Sequence, residues 1–195
     1  MKIFLIRHGQ TTGDIEDRYG GEYDDNLTDK GIMQSKKLAN LLKDKGIEII
    51  FHSPKKRAVQ TAKIIGDILK AQYKAVDGIR ERNCYGILSG LTKQEAKDKF
   101  PEEVAKLTTY FGHNVTDSED YDSFKQRIIK NFDQLFSVNY KTISIVTHGG
   151  PIMCFVREVL KSGDFEYLGD CAYLELEKRE NSISIIKLWN SKLKN

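Results

Sequence analysis

The sequence predicts an α/β fold, a three-layer sandwich in which a mixed, mostly parallel sheet lies between helices on both faces. Short apolar runs of strand length alternate with amphipathic stretches of helix length through most of the 195 residues. No repeat, low-complexity tract or Pro/Gly/Ser-rich linker interrupts this alternation. We therefore expect a single domain over residues 1–195.

The first part of the chain shows the alternation clearly. "KIFLI" is apolar throughout, which is typical of a strand covered on both faces. Thr28 suits the N-cap of the following helix and Gly46 suits its end, while Pro54 suits the first turn of the next helix. The predicted elements are a strand at 2–6, a helix at 27–46, a strand at 47–53, a helix at 54–70 and a weaker strand at 73–79.

The second part begins with a stretch that breaks the pattern. Residues 82–141 lack a strand pattern and contain several helical stretches, the longest at about 119–137, so we interpret them as a helical insertion. "TISIVTHGG" (142–150) is the most strand-like segment and precedes a predicted helix at 151–161. The end of the chain predicts a β-hairpin that closes near "KREN".

Composition excludes several classes of protein. The net charge is only +3, from 31 basic and 28 acidic side chains, and no Lys/Arg stripe is present, so we expect no nucleic-acid partner. The three cysteines are far apart, which argues against a disulfide framework and a zinc site and fits a reducing compartment. No apolar run approaches the ~20 residues of a membrane span, so we expect a cytoplasmic protein without a membrane partner.

Polar side chains collect where the predicted strands end. Arg7 and His8 follow the first strand, Arg57 lies one turn into the helix after the second, Glu81 follows the third, and His148 follows the strand at 142–150. Ligands bind outside the carboxyl ends of the strands in such sheets. We therefore expect these side chains to converge on one site.

Their chemistry suits a phosphoryl group. Two arginines and the amides of a helix N-terminus match the oxygens of a phosphate dianion. One of the two histidines could attack phosphorus as neutral imidazole, and a carboxylic acid could protonate the departing oxygen. No Asp/His cluster has the spacing of a metal site, so the cationic side chains must neutralise the charge.

Five segments together resemble the histidine phosphatase superfamily, also called the phosphoglycerate-mutase-like family. "LIRHGQT" is similar to the family's RHG motif around the reactive histidine, and the other segments match further family motifs in family order from residue 3 to about 155. These other segments are "GGEYDDNLTDKG", "HSPKKRAVQTA", "IRERNCYGILSGLT" and "IVTHGGPI".

The resemblance implies a mechanism and a fold. His8 is implied to be the nucleophile that becomes a phosphohistidine, while Arg7, Arg57 and His148 hold the phosphoryl group. Glu81 is implied to protonate the leaving oxygen and then to activate water. The implied fold is a mixed sheet between helices with an inserted helical cap at about 82–141, and neither a metal nor a cofactor is implied.

Further residues are expected to bind the substrate or its phosphate. Asp14 stands where many family members have an asparagine, so its carboxylate must turn away from the phosphate, be protonated or face a cationic substrate group. Glu22, Tyr23 and His113 are additional candidates for selecting the substrate. The expected binding residues are Thr11, through its hydroxyl, and Asp14, Gly20, Gly21, Tyr85, Lys93 and Gly149.

Three functions remain open at this point, and we favour hydrolysis of a small phosphomonoester. Arg82, Tyr85 and Lys93 match positions that line the substrate pocket of cofactor-dependent phosphoglycerate mutases, the first alternative. The insertion lacks the adjacent arginine pair of those mutases, however, and a substantial cap favours a small substrate. A non-catalytic phosphate-binding module is the second alternative. Exposed aromatic residues in the final hairpin also suggest a possible homodimer.

Overall fold

The computed structural model describes residues 1–107, 112, 114–180 and 182–194, and these residues form one six-stranded sheet. The strand order is β3-β2-β4-β1-β5-β6. The first four strands run parallel, and the two strands of the final hairpin run antiparallel. The strands are β1 Lys2–Arg7, β2 Ile49–His52, β3 Gln72–Ala75, β4 Thr142–Thr147, β5 Phe165–Arg179 and β6 Ser182–Leu193.

Helices cover both faces of this sheet, as the alternating pattern predicts. The larger core cluster joins one face to α6 and α7, and the second cluster joins the other face to α2 and α3. In the described ranges no helix is both long and apolar enough to cross a membrane. The helices are α1 Thr12–Ile15, α2 Asp29–Leu42, α3 Lys56–Leu69, α4 Lys93–Lys99, α5 Pro101–Ala105, α6 Tyr121–Leu135 and α7 Gly149–Glu158.

The position of β1 in the sheet explains the abrupt end of its apolar run. Ile3 to Ile6 are completely buried because β1 lies between β4 and β5 and is covered on both faces. In the parallel register, Arg7 at the end of β1 pairs with Thr147 at the end of β4. The polar residues after both strands therefore emerge side by side.

The insertion expected at 82–141 has two structurally different parts. Its first part, with α4 and α5, contributes to a small separate cluster that contains Tyr19, Leu88 and Val115. Its last helix, α6, instead buries Phe124 and Phe132 in the main core. Only the first part packs apart from the main core, and the candidate residue His113 lies outside the described residues.

The N-terminus of α2 packs tightly against the loop that follows β1. Thr28 caps α2 by accepting a hydrogen bond from the amide of Gly31, and its own amide donates to the carbonyl of Gln10 at 3.0 Å. A Cβ atom on Gly31 would lie 2.1 Å from that carbonyl oxygen, so only glycine permits this approach. The loop that carries His8 and Gly9 is thus supported by a helix end.

We predict that Gly31→Ala lowers the free energy of unfolding by about 1–3 kcal/mol, because the new methyl group overlaps backbone atoms of the loop. Alanine also gains up to ~1 kcal/mol of helix propensity, but a 2.1 Å contact with backbone outweighs it. Urea unfolding measures the change. Gly20→Ala is the control, because a Cβ there meets no atom within 4 Å. Equal stabilities for Gly31→Ala and the wild type would refute the close approach.

Candidate active site

A cavity of about 230 Å³ opens where the predicted site residues converge. Most of the expected residues line it, together with four that the sequence analysis did not select: Gly13, Arg18, Asp25 and Cys84. A second cavity of about 350 Å³ lies between α2 and the final hairpin, and its lining contains no histidine. The expected residues that line the first cavity are Arg7, His8, Thr11, Asp14, Gly20, Gly21, Arg57, Glu81 and Tyr85.

The hydrogen bond of His8 fixes its tautomer. His8 Nδ1 lies 2.8 Å from the carbonyl oxygen of Gly9. A carbonyl oxygen only accepts hydrogen bonds, so Nδ1 carries the proton and the neutral ring has its lone pair on Nε2. The side chain is 6% exposed and lines the cavity. His8 therefore presents an unprotonated ring nitrogen for attack.

His148 has the opposite tautomer. Arg57 Nε donates to His148 Nδ1 at 3.2 Å, and a guanidinium has only donors, so Nδ1 carries the lone pair. Nε2 then carries the proton and donates to Ser53 Oγ at 2.7 Å. Both nitrogens of His148 are therefore engaged, and its ring lies behind that of His8 with 5.1 Å between centroids. The geometry distinguishes the two histidines where residue chemistry alone did not.

Burial keeps both rings neutral. The pKa of His8 is lowered well below its usual range, first by burial and then by the positive charges of Arg57 and Arg7. The pKa of His148 is lowered by burial and by Arg57 in the same way. At neutral pH, each ring therefore has one nitrogen lone pair.

Arg57 is held in a fixed orientation by a buried network. Its Nη1 donates to Asp25 Oδ1 at 2.9 Å and to the carbonyl of Tyr23 at 2.6 Å, and its Nη2 donates to the carbonyl of Gly21 at 3.2 Å. Asp25 also accepts from the amide of Gly13 at 3.3 Å. The sequence analysis missed Asp25, although the acidic pair in "EYDDN" is a local signal for a partner to a buried cation.

Arg7 is held by the final hairpin. Its Nη1 donates to the carbonyl of Leu168 at 2.6 Å, and its Nη2 lies 3.6 Å from Asp170 Oδ1. Both partners lie in β5, about 160 residues further along the chain. The hairpin, which the sequence suggested only as a dimer surface, thus positions a residue of the site. Its outward side chains Tyr167 and Trp189 are exposed.

Glu81 lies at the N-terminus of α7 with both carboxyl oxygens in contact with backbone amides. Oε1 accepts from the amide of Arg82 at 2.8 Å, and Oε2 accepts from the amide of Gly150 at 3.1 Å. Gly149 begins the same helix, and a Cβ there would meet only open space. Glu81 is therefore oriented within the cavity that His8 also lines.

The contacts of Asp14 correspond to the first of the three alternatives, in which its carboxylate is turned away from the phosphate. Its Oδ2 accepts from the amide of Thr11 at 2.8 Å and from the Thr11 hydroxyl at 2.9 Å, while the Asp14 amide donates back to that hydroxyl. This reciprocal pair is a capping box at the start of α1. The Thr11 hydroxyl expected to bind phosphate donates to Asp14, so Asp14 is turned toward its own helix end.

Lys93 is not brought to the cavity. It is exposed, and its Nζ forms an ion pair with Asp17 on the surface. Arg18 lines the cavity instead, with its Nη1 donating to the carbonyl of Gly90 at 2.6 Å. Tyr85 lies beside it, with its ring 4.9 Å from that of Tyr19. The cation that lines the substrate pocket is therefore Arg18 and not the expected Lys93.

Two further candidates for substrate selection lie close to the cavity wall. Glu22 forms ion pairs with Lys55 and Arg80, and these pairs lower the pKa of its carboxyl against the opposing effect of burial. Tyr23 contributes its backbone carbonyl to the network around Arg57. Both residues thus support the loop at 20–25.

Comparison with known proteins identifies the family. The family model described as "Histidine phosphatase superfamily (branch 1)" matches residues 3–191. The chain belongs to the histidine phosphatase superfamily. The similarity covers nearly the whole domain, including the final hairpin.

Similar proteins in the superfamily carry the names of different enzymes. A protein from Hydrogenobacter thermophilus named "Putative phosphoserine phosphatase 2" is 30% identical over 159 residues, which cover 80% of this chain and 76% of the relative. A 2,3-bisphosphoglycerate-dependent phosphoglycerate mutase from Hamiltonella defensa is 28% identical over 192 residues, covering 81% of this chain and 77% of the mutase.

Solved structures share the fold. The α-ribazole phosphatase from Shigella flexneri superposes with a TM-score of 0.84 at 21% identity, covering 98% of this chain and 96% of that one. The phosphoglycerate mutase from Bacillus anthracis superposes with a TM-score of 0.80 at 20% identity, covering 95% and 91%. The expected mixed α/β fold is confirmed.

Within the described residues, no group of three or more His, Cys, Asp or Glu could hold a metal ion.

We predict that Asp25→Ala lowers the free energy of unfolding by about 3–5 kcal/mol, because Arg57 loses the partner of a buried charge. Affinity for inorganic phosphate should fall as well, since the guanidinium is no longer oriented. Asp25→Asn, which keeps a hydrogen-bond acceptor, should lose less of both. Asp133→Ala on the exposed face of α6 is the control. If Asp25→Ala changed neither the stability measured by thermal unfolding nor the affinity measured by phosphate titration, Asp25 would not be the partner that holds Arg57.

We predict that the protein loses stability as the pH falls below about 6.5. His8 and His148 have lowered pKa values when folded, so below the ordinary histidine pKa the unfolded chain binds protons that the folded chain does not. Each histidine contributes a slope of up to about 1.4 kcal/mol per pH unit in that range. The double variant His8→Gln/His148→Gln should show a flatter pH dependence in chemical unfolding, and an unchanged slope would refute this assignment.

Proposed function

We propose that this protein is a metal-independent phosphomonoester hydrolase that acts on a small phosphorylated metabolite through a phosphohistidine at His8. One observation supports this most strongly: the bond from Nδ1–H of His8 to the carbonyl of Gly9 leaves the lone pair on Nε2, in a cavity that Arg7, Arg57 and Glu81 also line. A nucleophile, two cations and an acid are thus combined in one site.

In the first step, His8 Nε2 forms a bond to phosphorus as the ester P–O bond breaks. The departing oxygen takes a proton from the Glu81 carboxyl group, so the product alcohol leaves neutral. Arg7 and Arg57 neutralise the non-bridging oxygens through charge-assisted hydrogen bonds. The ring becomes positively charged, and its Nδ1–H remains on the carbonyl of Gly9.

In the second step, the Glu81 carboxylate takes a proton from water as the water oxygen attacks phosphorus. The N–P bond breaks, neutral His8 is restored and inorganic phosphate leaves. Glu81 regains its proton in this step, so one carboxyl group serves as acid and then as base. No other residue needs to change its protonation state over the cycle.

The size of the cavity supports a small leaving group. About 230 Å³ accommodates the phosphoryl group and a metabolite of modest size, with Arg18 and Tyr85 on the wall beyond the phosphate site. Two of the similar proteins are named for small phosphomonoesters, one as a phosphoserine phosphatase and one as an α-ribazole phosphatase. We therefore favour an alkyl phosphomonoester as the substrate.

A phosphoglycerate mutase is the second candidate, because the relative from Hamiltonella defensa has that name and its similarity covers most of both chains. A mutase must hold the phosphoglycerate in two orientations and keep water from the phosphohistidine. Residues 105–120 contain no arginine, so the adjacent arginine pair expected of such a clamp is absent from this segment. This difference favours transfer to water.

We predict that His8→Ala reduces the rate of phosphate release by roughly a thousandfold or more, because the nucleophile is lost. A phosphomonoester panel that includes p-nitrophenyl phosphate and O-phosphoserine is assayed for inorganic phosphate. His52→Asn is the control, since His52 lies outside the cavity and asparagine retains a donor for the carbonyl of Ser53. Equal rates for the wild type and His8→Ala would rule out catalysis by His8.

The same preparation distinguishes hydrolase from mutase. With 3-phosphoglycerate and a trace of bisphosphoglycerate, a hydrolase releases phosphate and a mutase forms 2-phosphoglycerate. Rapid isomerisation without free phosphate would overturn the hydrolase proposal. Rapid quenching should capture a phosphorylated chain that is stable to base and labile to acid, as expected for phosphohistidine.

A further inference from the structure

Arg127 on α6 holds the backbone of the segment that carries Glu81. Its Nη1 donates to the carbonyls of Gly78 and Arg80, each at 3.0 Å, and its Nη2 donates to the carbonyl of Glu81 at 3.4 Å. One guanidinium thus binds three carbonyls within four residues. The segment contains only a short 3-10 helix at Asp77–Ile79, so no strand pairing fixes it.

The remaining carbonyl of this segment is held from the sheet. The Thr147 hydroxyl donates to the carbonyl of Ile79 at 2.6 Å. Thr147 ends β4, immediately before His148. The backbone from residue 78 to residue 81 is therefore fastened at every carbonyl, by α6 on one side and by the catalytic edge of the sheet on the other.

Glu119 fixes the plane of the Arg127 guanidinium. Arg127 Nε donates to Glu119 Oε1 at 2.9 Å, and Arg127 Nη2 donates to Oε2 at 2.7 Å. Two parallel bonds between a guanidinium and a carboxylate specify orientation as well as distance. The side chains are 14% and 18% exposed, so water screens the pair only weakly.

Glu119 also binds the chain just after Glu81. Its amide donates to the carbonyl of Asn83 at 2.7 Å, and its carbonyl accepts from Arg82 Nε at 3.0 Å. The amide of Arg82 is the donor to Glu81 Oε1. Arg127 and Glu119 therefore hold the backbone before and after Glu81, on either side of the Arg82 amide that donates to its carboxyl group.

We propose that Arg127, together with Glu119, is a positioning residue for the acid–base function of Glu81. Arg127 acts through the backbone of residues 78–82, and it touches neither His8 nor the phosphoryl group. Proton transfer to a leaving oxygen requires an acid placed to within a fraction of an ångström, and an irregular segment attains this only when other groups hold it. The inference rests on the proposed hydrolase function.

The test compares two substrates that differ in leaving group. Phenyl phosphate and p-nitrophenyl phosphate have similar shapes, but phenolate is the poorer leaving group and depends more on protonation. In Arg127→Met, kcat/KM should fall about tenfold or more for phenyl phosphate and less than about threefold for p-nitrophenyl phosphate. Arg127→Lys, which keeps the charge but loses the planar fork, should lie between Arg127→Met and the wild type.

Three comparisons separate positioning from a general loss of structure. Lys130→Met, an exposed cation on the same helix, should behave as the wild type. The inhibition constant of inorganic phosphate should stay unchanged in Arg127→Met, because the residues that bind phosphate are not altered. Adding Arg127→Met to Glu81→Gln should have little further effect on phenyl phosphate, since both changes remove the same proton transfer.

Each outcome decides the proposal. An equal loss of kcat/KM on both substrates, a weakened inhibition by phosphate, or additive effects with Glu81→Gln would show a merely structural role and overturn it. If Arg127→Met fails to fold, Arg127→Lys and Glu119→Gln carry the same test. A wild-type protein that releases phosphate from neither aryl ester nor any other member of the phosphomonoester panel would refute the proposed function itself. If the wild type is active and Arg127→Met loses activity equally on both aryl esters, only this inference is refuted.

Discussion

The site depends on keeping the Arg57 guanidinium charged inside the protein. The residue is only 4% exposed, and an unpaired charge at such a position costs several kcal/mol. Asp25 and the carbonyls of Gly21 and Tyr23 accept from its Nη atoms, which explains why the irregular loop at 20–25 has a defined path. Its Nε donates to His148 and thereby selects the tautomer of that ring. Burial lowers the pKa of both histidines first, and the charge of Arg57 lowers it further.

Arg7 is less buried, with 25% of its side chain exposed, and it is held by the strand next to its own. The hairpin supplies the carbonyl of Leu168 and the carboxylate of Asp170, and it pairs with β1 through β5. Because β1 lies between β4 and β5, Arg7 and His8 lie between the loop that follows β4 and strand β5, which holds Arg7. The antiparallel end of the mixed sheet therefore contributes to the site as directly as the parallel part does.

The sequence predicts the parts of this arrangement that are local and fails where partners are distant. β1 is a continuous apolar run and β4 is rich in β-branched residues. His8, Arg57 and His148 follow strands or begin helices, so pattern and position suffice to find them. Asp25 and Arg127 act through bonds to residues more than thirty positions away, and many of those bonds end on backbone carbonyls, which leave no trace in the residue pattern. Asp14 is different, because Thr11 and Asp14 have the spacing of a capping box, a local signal that predicts their mutual hydrogen bonds.

The tautomers also determine how His148 can serve the phosphoryl group. Its Nε2–H is directed to Ser53 Oγ and its Nδ1 accepts from Arg57, so the neutral ring has no proton to offer a third partner. In this tautomer His148 therefore contributes to phosphate binding by holding the Arg57 guanidinium, and not by donating a hydrogen bond of its own.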